Sequence, residues 1–495
     1  MRPRDPQVLA IDVGTSGVRV SVVDLRGTLR AVKSTALRPG PELPVEEVWQ
    51  AVGALVRSAT EDAGPVRGVG CAGQLALVAV DGRGRPLGPA LTWMDTRARA
   101  EAEELERRVG REVYLRRCGR RPHPEQLAPR VLWMATHARE VLDRAAAFLP
   151  LKDYLVLRMT GEMGTDYVDA SYTLLCDVGA LRWADDLAEA AGVRRALLPP
   201  LRWPHEVAGR LRGEVARELG LSAGIPVVAG GPDGTMGLVA LGLCDPGDAA
   251  DTAGTSDVIG AVVDRPAIDP RGDLITNAYV VESLWTLGGP TTTTGGVLEW
   301  LARTLAGSEG AVPSLMEEAA GIGPGAGGVV VLPDLIGGRA PHWTPATRGA
   351  VCGLGLHHTR AHVVRAALEA TAYLEREILD RIGDVAGPVR RVRLGGGGGT
   401  HPVGVRIRAD VTGVPHLVSA ERHITSVGVA VMTAVGTGDF PSVQEAMARM
   451  VPPLRVCPPD PAACDLYRPS FQAYRAVREA LGGVWGAAAG QEGVR

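Results

Sequence analysis

The chain has 495 residues, is 45% hydrophobic and 22% charged, and carries a formal net charge of −3. That length predicts two domains rather than one core, and the near-neutral balance excludes a strong field for nucleic acid or an anionic membrane. The N-terminal apolar stretch is too short for a signal-peptide core and is interrupted by Asp12. No apolar run approaches the roughly 20 residues of a spanning helix, and the seven scattered cysteines form no C-x-x-C pair. The expectation is a cytoplasmic protein with free thiols and no membrane or nucleic-acid partner.

In chain order, residues 8–13 and 18–24 read as two strands joined by the turn Gly14-Thr15-Ser16-Gly17. A helix is predicted over 45–63, with Val45, Val48, Val52, Leu55 and Val56 on one face. A strand follows at 66–71, and longer helical patterns recur at 97–109, 130–147 and 362–383. Gly68-Val-Gly70-Cys-Ala-Gly73 matches G-x-G-x-x-G, but 74–81 continues as strand instead of opening a helix, which excludes the dinucleotide fingerprint. The alternation of strands and helices implies sheets covered by helices.

One internal echo organises the chain. LAIDVGTSGVRVSVVD at 9–24 returns as AADTAGTSDVIGAVVD at 249–264, so Gly14-Thr15-Ser16 matches Gly254-Thr255-Ser256. Two strand–GTS–strand units imply two related domains facing each other. The turn Asp245-Pro246-Gly247 divides the chain into 1–245 and 246–484, with 485–495 read as a frayed tail.

A GTS turn offers converging backbone N–H groups and two hydroxyls, which suits phosphate oxygens. Asp12, two residues before the first glycine, is a candidate anchor for hydrated magnesium, whereas the second unit has Thr252 there. The run Gly395–Gly399 follows a strand-like segment and precedes a predicted helix at 402–412, so a flat ligand can lie on bare backbone. Gly230-Gly-Pro-Asp233-Gly follows the apolar strand 225–229. Asp233 thus stands at a strand's carboxyl end, where open α/β sheets place chemistry. From this position alone it is equally a base for phosphoryl transfer or a helix cap.

These pieces occur in the order found in the FGGY family of carbohydrate kinases, which the chain resembles from about residue 8 to 482, and most nearly in its xylulokinase-like branch. The resemblance rests on Ile11-Asp-Val-Gly-Thr-Ser16, on Thr92-Trp93-Met94-Asp95-Thr96-Arg97-Ala98 and on Lys152-Asp-Tyr-Leu with Thr160-Gly-Glu162. It rests further on Thr165–Ser171, on Arg339-Ala-Pro341 and on the long signature at 349–369. It implies two actin-like (ribonuclease H-like) ATPase domains with an interdomain cleft. The first would hold a sugar and the second ATP, and Asp233 would be the base that activates the sugar hydroxyl. The ATP side would include Gly14, Thr15, Ser16, Gly254, Thr255, Ser256, Gly295, Gly396, Gly397, Gly398 and His401. The sugar side would include Gln74, Leu75, Trp93, Asp95 and Asp233, with Trp93 and Asp95 open to a structural role, and magnesium would lie near Asp12 and Asp233. Family members are often dimers, so a homodimer is expected by the same analogy.

Departures from the family pattern fall on the sugar side. Xylulokinases usually carry Gln-Met-His-Gly where this chain has Gln74-Leu75-Ala76-Leu77, and glycerol kinases an Arg-Glu pair where it has Leu75-Ala76. Gly234 replaces a common Asn or Gln, and His401 a small polar residue near the adenine. A pentulose such as D-xylulose is the expected acceptor. Another ketose or a polyol is the alternative within the class, and an actin-like ATPase or nucleotide-gated binding module the alternative outside it.

Overall fold

The computed structural model describes residues 6–63, 65–397 and 400–492, with side chains as far as Trp485. Two mixed sheets dominate. The first has six strands in the order Val207–Arg210, Pro226–Pro232, Val69–Gly73, Gln7–Val13, Gly17–Asp24 and Leu29–Ala36. The second has seven, with Ile275–Ala278 at one edge, followed by Trp285–Pro290, Val258–Val263, Asp248–Thr252, Arg391–Gly395, His416–Val418 and Arg455–Cys457.

The internal echo is a structural repeat. Gln7–Val13 pairs antiparallel with Gly17–Asp24 and parallel with Val69–Gly73. Asp248–Thr252 likewise pairs antiparallel with Val258–Val263 and parallel with Arg391–Gly395. The outer pairings agree in direction as well: parallel then antiparallel on one side of each sheet, antiparallel on the other. Every residue of Gln7–Val13 is buried, as expected of a strand covered on both faces.

Two helices lie between the sheets, Asp233–Ala240 and Ile424–Gly436. They share a core with Val8, Ala10, Ala72 and Val228 of the first sheet and Ala250 and Val262 of the second. Ile424–Gly436 carries no charged residue and is buried along most of its length, as a helix enclosed by apolar neighbours must be. Their crossing is close because Gly428 has no side chain; a Cβ there would lie 1.9 Å from the carbonyl oxygen of Met236. A smaller four-stranded sheet, which includes Ala76–Val80 and Ala147–Pro150, builds a lobe on the first domain.

The helix expected over 45–63 forms as Val45–Ala63, and its buried face adds Trp49 to the predicted valines. The helix expected over 130–147 is instead Leu127–His137 and Arg139–Arg144, followed by the strand Ala147–Pro150. The chain leaves the helical region at Ala138 (φ −144°), and Phe148 and Leu149 pair with Ala76–Val80, so tertiary pairing overrides the local pattern. The closing helix runs Pro461–Glu492, through the segment read as a tail; Ala487–Ala489 are strong helix formers. Among the described residues, no helix is long and apolar enough to cross a membrane.

Candidate active site between the two domains

Asp233 is the first residue of the helix that leaves the buried strand Pro226–Pro232. The N-cap position falls to Pro232, and the Asp233 carboxylate accepts a hydrogen bond from Gly234 N (2.7 Å). The approach of this helix to the second domain depends on glycine. A Cβ on Gly237 would stand 2.7 Å from Thr252, whereas one on Gly234 would make only ordinary contact with Val258, at 3.4 Å. Both contacts belong to the strands flanking Gly254-Thr255-Ser256. Gly237 thus gives the Asp233 helix a close seat beside the second GTS hairpin. On its other side, Gly230 adopts φ +70°, and a Cβ there would meet the Cys71 carbonyl at 1.7 Å.

Asp12 lies in the buried strand Gln7–Val13, two residues before Gly14. Burial and then the neighbouring Asp233 raise its carboxyl to about 7, against the pull of Arg19, whose Nη1 lies 3.0 Å from Asp12 Oδ2. Asp12 Oδ1 is buried without a hydrogen-bond partner among the described residues. Confinement also raises Asp233, tempered by the Gly234 amide. Two carboxylates in one electrostatic neighbourhood, one with an orphaned buried oxygen, match the hard oxygen donors that Mg2+ takes alongside water and phosphate.

Around the first GTS turn, Gln74 Nε2 donates to Gly14 O (3.2 Å), Thr15 Oγ1 to Gln74 Oε1 (3.2 Å) and Trp93 Nε1 to Thr15 Oγ1 (3.0 Å). Gly14, Thr15, Gln74 and Trp93 therefore form one hydrogen-bonded group, with Ser16 exposed beside it. Leu75 is half-buried, and with Ala76 and Leu77 it lines a largely apolar pocket that also contains Glu125, Arg130 and Tyr172. Asp95 is engaged elsewhere: its Oδ1 accepts from Arg97 Nε (2.8 Å), and Arg130 Nε stands 4.0 Å from Oδ2. Burial lowers Arg130 to about 10, and Asp95 and Glu125 oppose that fall.

On the facing domain, Gly254 and Gly295 line one pocket with Leu298, Met316, Gly404 and Arg408. A Cβ on Gly295 would lie 2.0 Å from Gly254 O, and Gly296 N donates to Thr255 O (3.0 Å). Gly396 (φ +103°) packs on Ala253, where a Cβ would come within 2.4 Å of its carbonyl. Gly397 is exposed with open space around it. Gly398 lies outside the described residues. Gly395, by contrast, is interior, because a Cβ there would meet Leu241 at 2.6 Å. Thr255 is exposed and Ser256 half-buried at the turn. His401 occupies the N-cap position of the helix Pro402–Thr412, its Nδ1 unpartnered among the described residues.

Beneath this pocket, Arg408 joins Asp251 (2.6 Å), Asp257 (2.5 Å) and Glu375 (2.9 Å), and His416 Nε2 lies 2.9 Å from Glu375. Burial works to raise Glu375, yet His416 and Arg408 hold it at about 2. The hub fixes both ends of the second GTS turn, from Asp251 to Asp257. Sequence reading missed Arg408, Glu125 and Tyr172, since their partners are more than a hundred residues away or on other elements and no periodicity announces them.

Residues 7–240 match the N-terminal domain of the FGGY family of carbohydrate kinases, and residues 249–437 match its C-terminal domain. The chain is 28% identical to xylulose kinase of Bacillus subtilis (strain 168), over 95% of this chain and 96% of that protein. It is 32% identical to xylulose kinase of Escherichia coli (strain K12), over 82% and 84%. The crystal structure of xylulose kinase from Rhodospirillum rubrum superposes with a TM-score of 0.87 at 29% identity, covering 97% of this chain and 100% of that one.

Proposed function

The chain belongs to the FGGY family of carbohydrate kinases, and on that premise we propose that it transfers the γ-phosphoryl group of ATP to a hydroxyl of a pentulose such as D-xylulose, with Asp233 as general base. That it is a carbohydrate kinase using ATP follows from the family itself; the acceptor and the roles of individual residues are the proposal. The observation that carries it is the seat of Asp233, at the head of a helix packed against both strands of the second GTS hairpin and electrostatically coupled to Asp12 of the first.

In this reading the sugar sits on the side of residues 1–245 and ATP on the side of 246–484. The backbone amides and hydroxyls of Gly254-Thr255-Ser256, with Gly295, Gly396 and Gly397, cradle the phosphates. Gly14, Thr15 and Ser16 face them across the cleft. Asp233 orients the attacking hydroxyl and takes its proton as the O–P bond forms, and ADP leaves on the second domain. Asp12 and Asp233 would hold Mg2+, which when bound supplies positive charge against the phosphate oxygens. A closed cleft excludes water and limits futile hydrolysis.

The loop Leu75-Ala76-Leu77 favours a second reading within the same class, another ketose or a polyol. Where a site hydrogen-bonds a sugar hydroxyl, losing that donor or acceptor changes selectivity strongly, and here the loop presents aliphatic side chains beside Glu125 and Tyr172. An ATP-consumption screen over pentuloses, hexuloses and polyols, with the phosphorylated product identified, tests both. Highest kcat/KM with D-xylulose supports the first reading and with another acceptor the second. ATP hydrolysis without any phosphorylated sugar contradicts both.

A further inference from the structure

The segment 333–349 joins the short paired strands Val330–Leu332 and Ala350–Cys352 of the second domain and makes contacts with both domains, like a strap. At one end it is tied to the ATP side. Thr292 Oγ1 donates to Gly337 O (2.7 Å), Thr293 Oγ1 donates to Pro333 O, and Leu335 N donates back to Thr293 Oγ1 (3.3 Å). Thr292 and Thr293 lead directly into Gly295, the glycine packed against Gly254.

At the other end the strap reaches the first domain through the side chains of Arg339 and Trp343. Arg339 Nη2 lies 3.2 Å from both carboxylate oxygens of Glu125. Its guanidinium carbon stands 5.1 Å from the ring centre of Trp93, whose indole N–H is bonded to Thr15 of the first GTS turn. Trp343 of the strap meets His123 edge-on at 5.9 Å. Glu125 is half-buried with its side chain 9% exposed; its confinement works to raise the carboxyl, but Arg339, His123, Arg130 and Arg120 together hold it below the usual range.

Other contacts between the domains use both side chains and backbone. Asn277 Nδ2 donates to Tyr172 OH (3.3 Å), Ser21 Oγ donates to Ser426 Oγ (2.9 Å), and Arg121 Nη2 lies 3.4 Å from Asp273 Oδ1. Thr276 N donates to Gly119 O (2.9 Å), and Trp285 Nε1 donates to Val178 O (2.7 Å). The last two use backbone carbonyls as acceptors. The Glu125–Arg339 contact joins the strap to the lining of the pocket formed by Leu75, Ala76 and Leu77 on the first domain.

We propose that Arg339 is a positioning residue for phosphoryl transfer: through Glu125 and Trp93 it fixes the strap, and with it the Thr292–Gly295 turn of the ATP side, against the sugar side of the first domain. This rests on the reading of the cleft as the place where ATP meets sugar. Its role is to align, since it touches neither reacting atom in that reading.

The test compares Arg339→Ala, Arg339→Lys and Glu125→Gln with the parent, using full-length protein and the best acceptor from the screen. Arg339→Ala is expected to lower kcat by tenfold or more, to change the KM for ATP by less than twofold, and to raise the ATP hydrolysed per sugar phosphate formed. Arg339→Lys keeps a charge for Glu125 and should recover part of kcat. Glu125→Gln preserves volume and should reproduce the loss of coupling even if Arg339→Ala fails to fold. Unchanged kcat and coupling in folded Arg339→Ala, or in Glu125→Gln, overturns the proposal, as does a defect confined to the KM for ATP. Asp233→Asn, measured in parallel, separates the two levels: if it is inactive while the Arg339 variants are normal, only the positioning role fails, and if it is fully active, the base assignment fails.

Discussion

Lys152 is one of only two lysines in the chain and is 1% exposed. Its ammonium lies 2.5 Å from Asp153, 2.7 Å from Asp166 and 3.3 Å from Asp169, all three of them buried. The three carboxylates lie close enough together to hold a metal ion, but the ammonium already sits among them. Burial, the other carboxylates and Lys152 act together on this cluster: Asp169 is pushed well above the ordinary range, and Asp153 to about 6. Lys152→Met removes the cation and leaves the acids facing one another in the interior. Removing one partner of a buried pair costs about 3–5 kcal/mol, and at about 2–4 °C per kcal/mol for a domain of this size the melting point should fall by about 6–20 °C. The loss has a definite pH dependence. In the variant the folded-state carboxyl pKa values rise further above their unfolded values, so the folded state takes up protons on acidification. Its stability deficit is then smallest near pH 5.5 and grows toward pH 8. Activity should fall too, because the cluster braces the site: a Cβ on Gly73, the residue before Gln74, would touch Lys152 at 3.3 Å, and Gly231 stands against Asp166. Thermal unfolding of parent and variant at both pH values is the assay. A melting point within 2 °C of the parent, or the same deficit at pH 5.5 and pH 8, refutes the reasoning.

Two further expectations concern the cleft. Asp12 is raised to about 7 by burial and Asp233, and in its proposed metal-binding role it must be ionised. At limiting Mg2+ the sugar-dependent rate should therefore fall about tenfold per pH unit below about 7 and level off above it. Between the ordinary carboxyl pKa and about 7, the metal-free protein should lose stability as pH rises, and added Mg2+ should restore it. A rate at limiting Mg2+ that is flat from pH 6 to 8 contradicts this. Gly295→Ala places a methyl 2.0 Å from Gly254 O, so it should raise the KM for ATP at least tenfold and leave the KM for the sugar within twofold. Equal effects on both substrates would show that these two glycines do not belong to the ATP side alone.

Much of the architecture is legible because it is local. The two GTS hairpins carry their alternation and turn residues within 16 positions each, and their similarity exposes the repeat before any coordinates do. The predicted helix at 402–412 forms with those limits because proline opens it and Gly413 (φ +71°) closes it. Asp233 is legible as a residue at a strand end, but the seat of its helix against Thr252 is not, since that depends on Gly237 packing against a strand from the other domain. The break at Ala138 is hidden for a similar reason: Phe148 and Leu149 pair with residues about seventy positions earlier, and no window of local sequence contains both. Glu125 and Arg339 are 214 residues apart, and Arg408 gathers acids from three segments. Single charged residues carry no mark of such partners, so the electrostatic framework of the cleft emerges only from the fold. Gln74 and Trp93 show the reverse: singled out as sugar contacts, they spend hydrogen bonds on Gly14 and Thr15 and so also shape the first GTS turn.

The central claim is that Asp233 is the base of an ATP-dependent sugar phosphorylation. The direct measurement is sugar-dependent ADP release by Asp233→Asn beside the parent at saturating substrates, with ATP binding followed by calorimetry. The account predicts a fall in kcat of about 10²–10⁴-fold with the Kd for ATP within twofold of the parent. Turnover above a tenth of the parent's, in a folded variant that binds ATP normally, would contradict it.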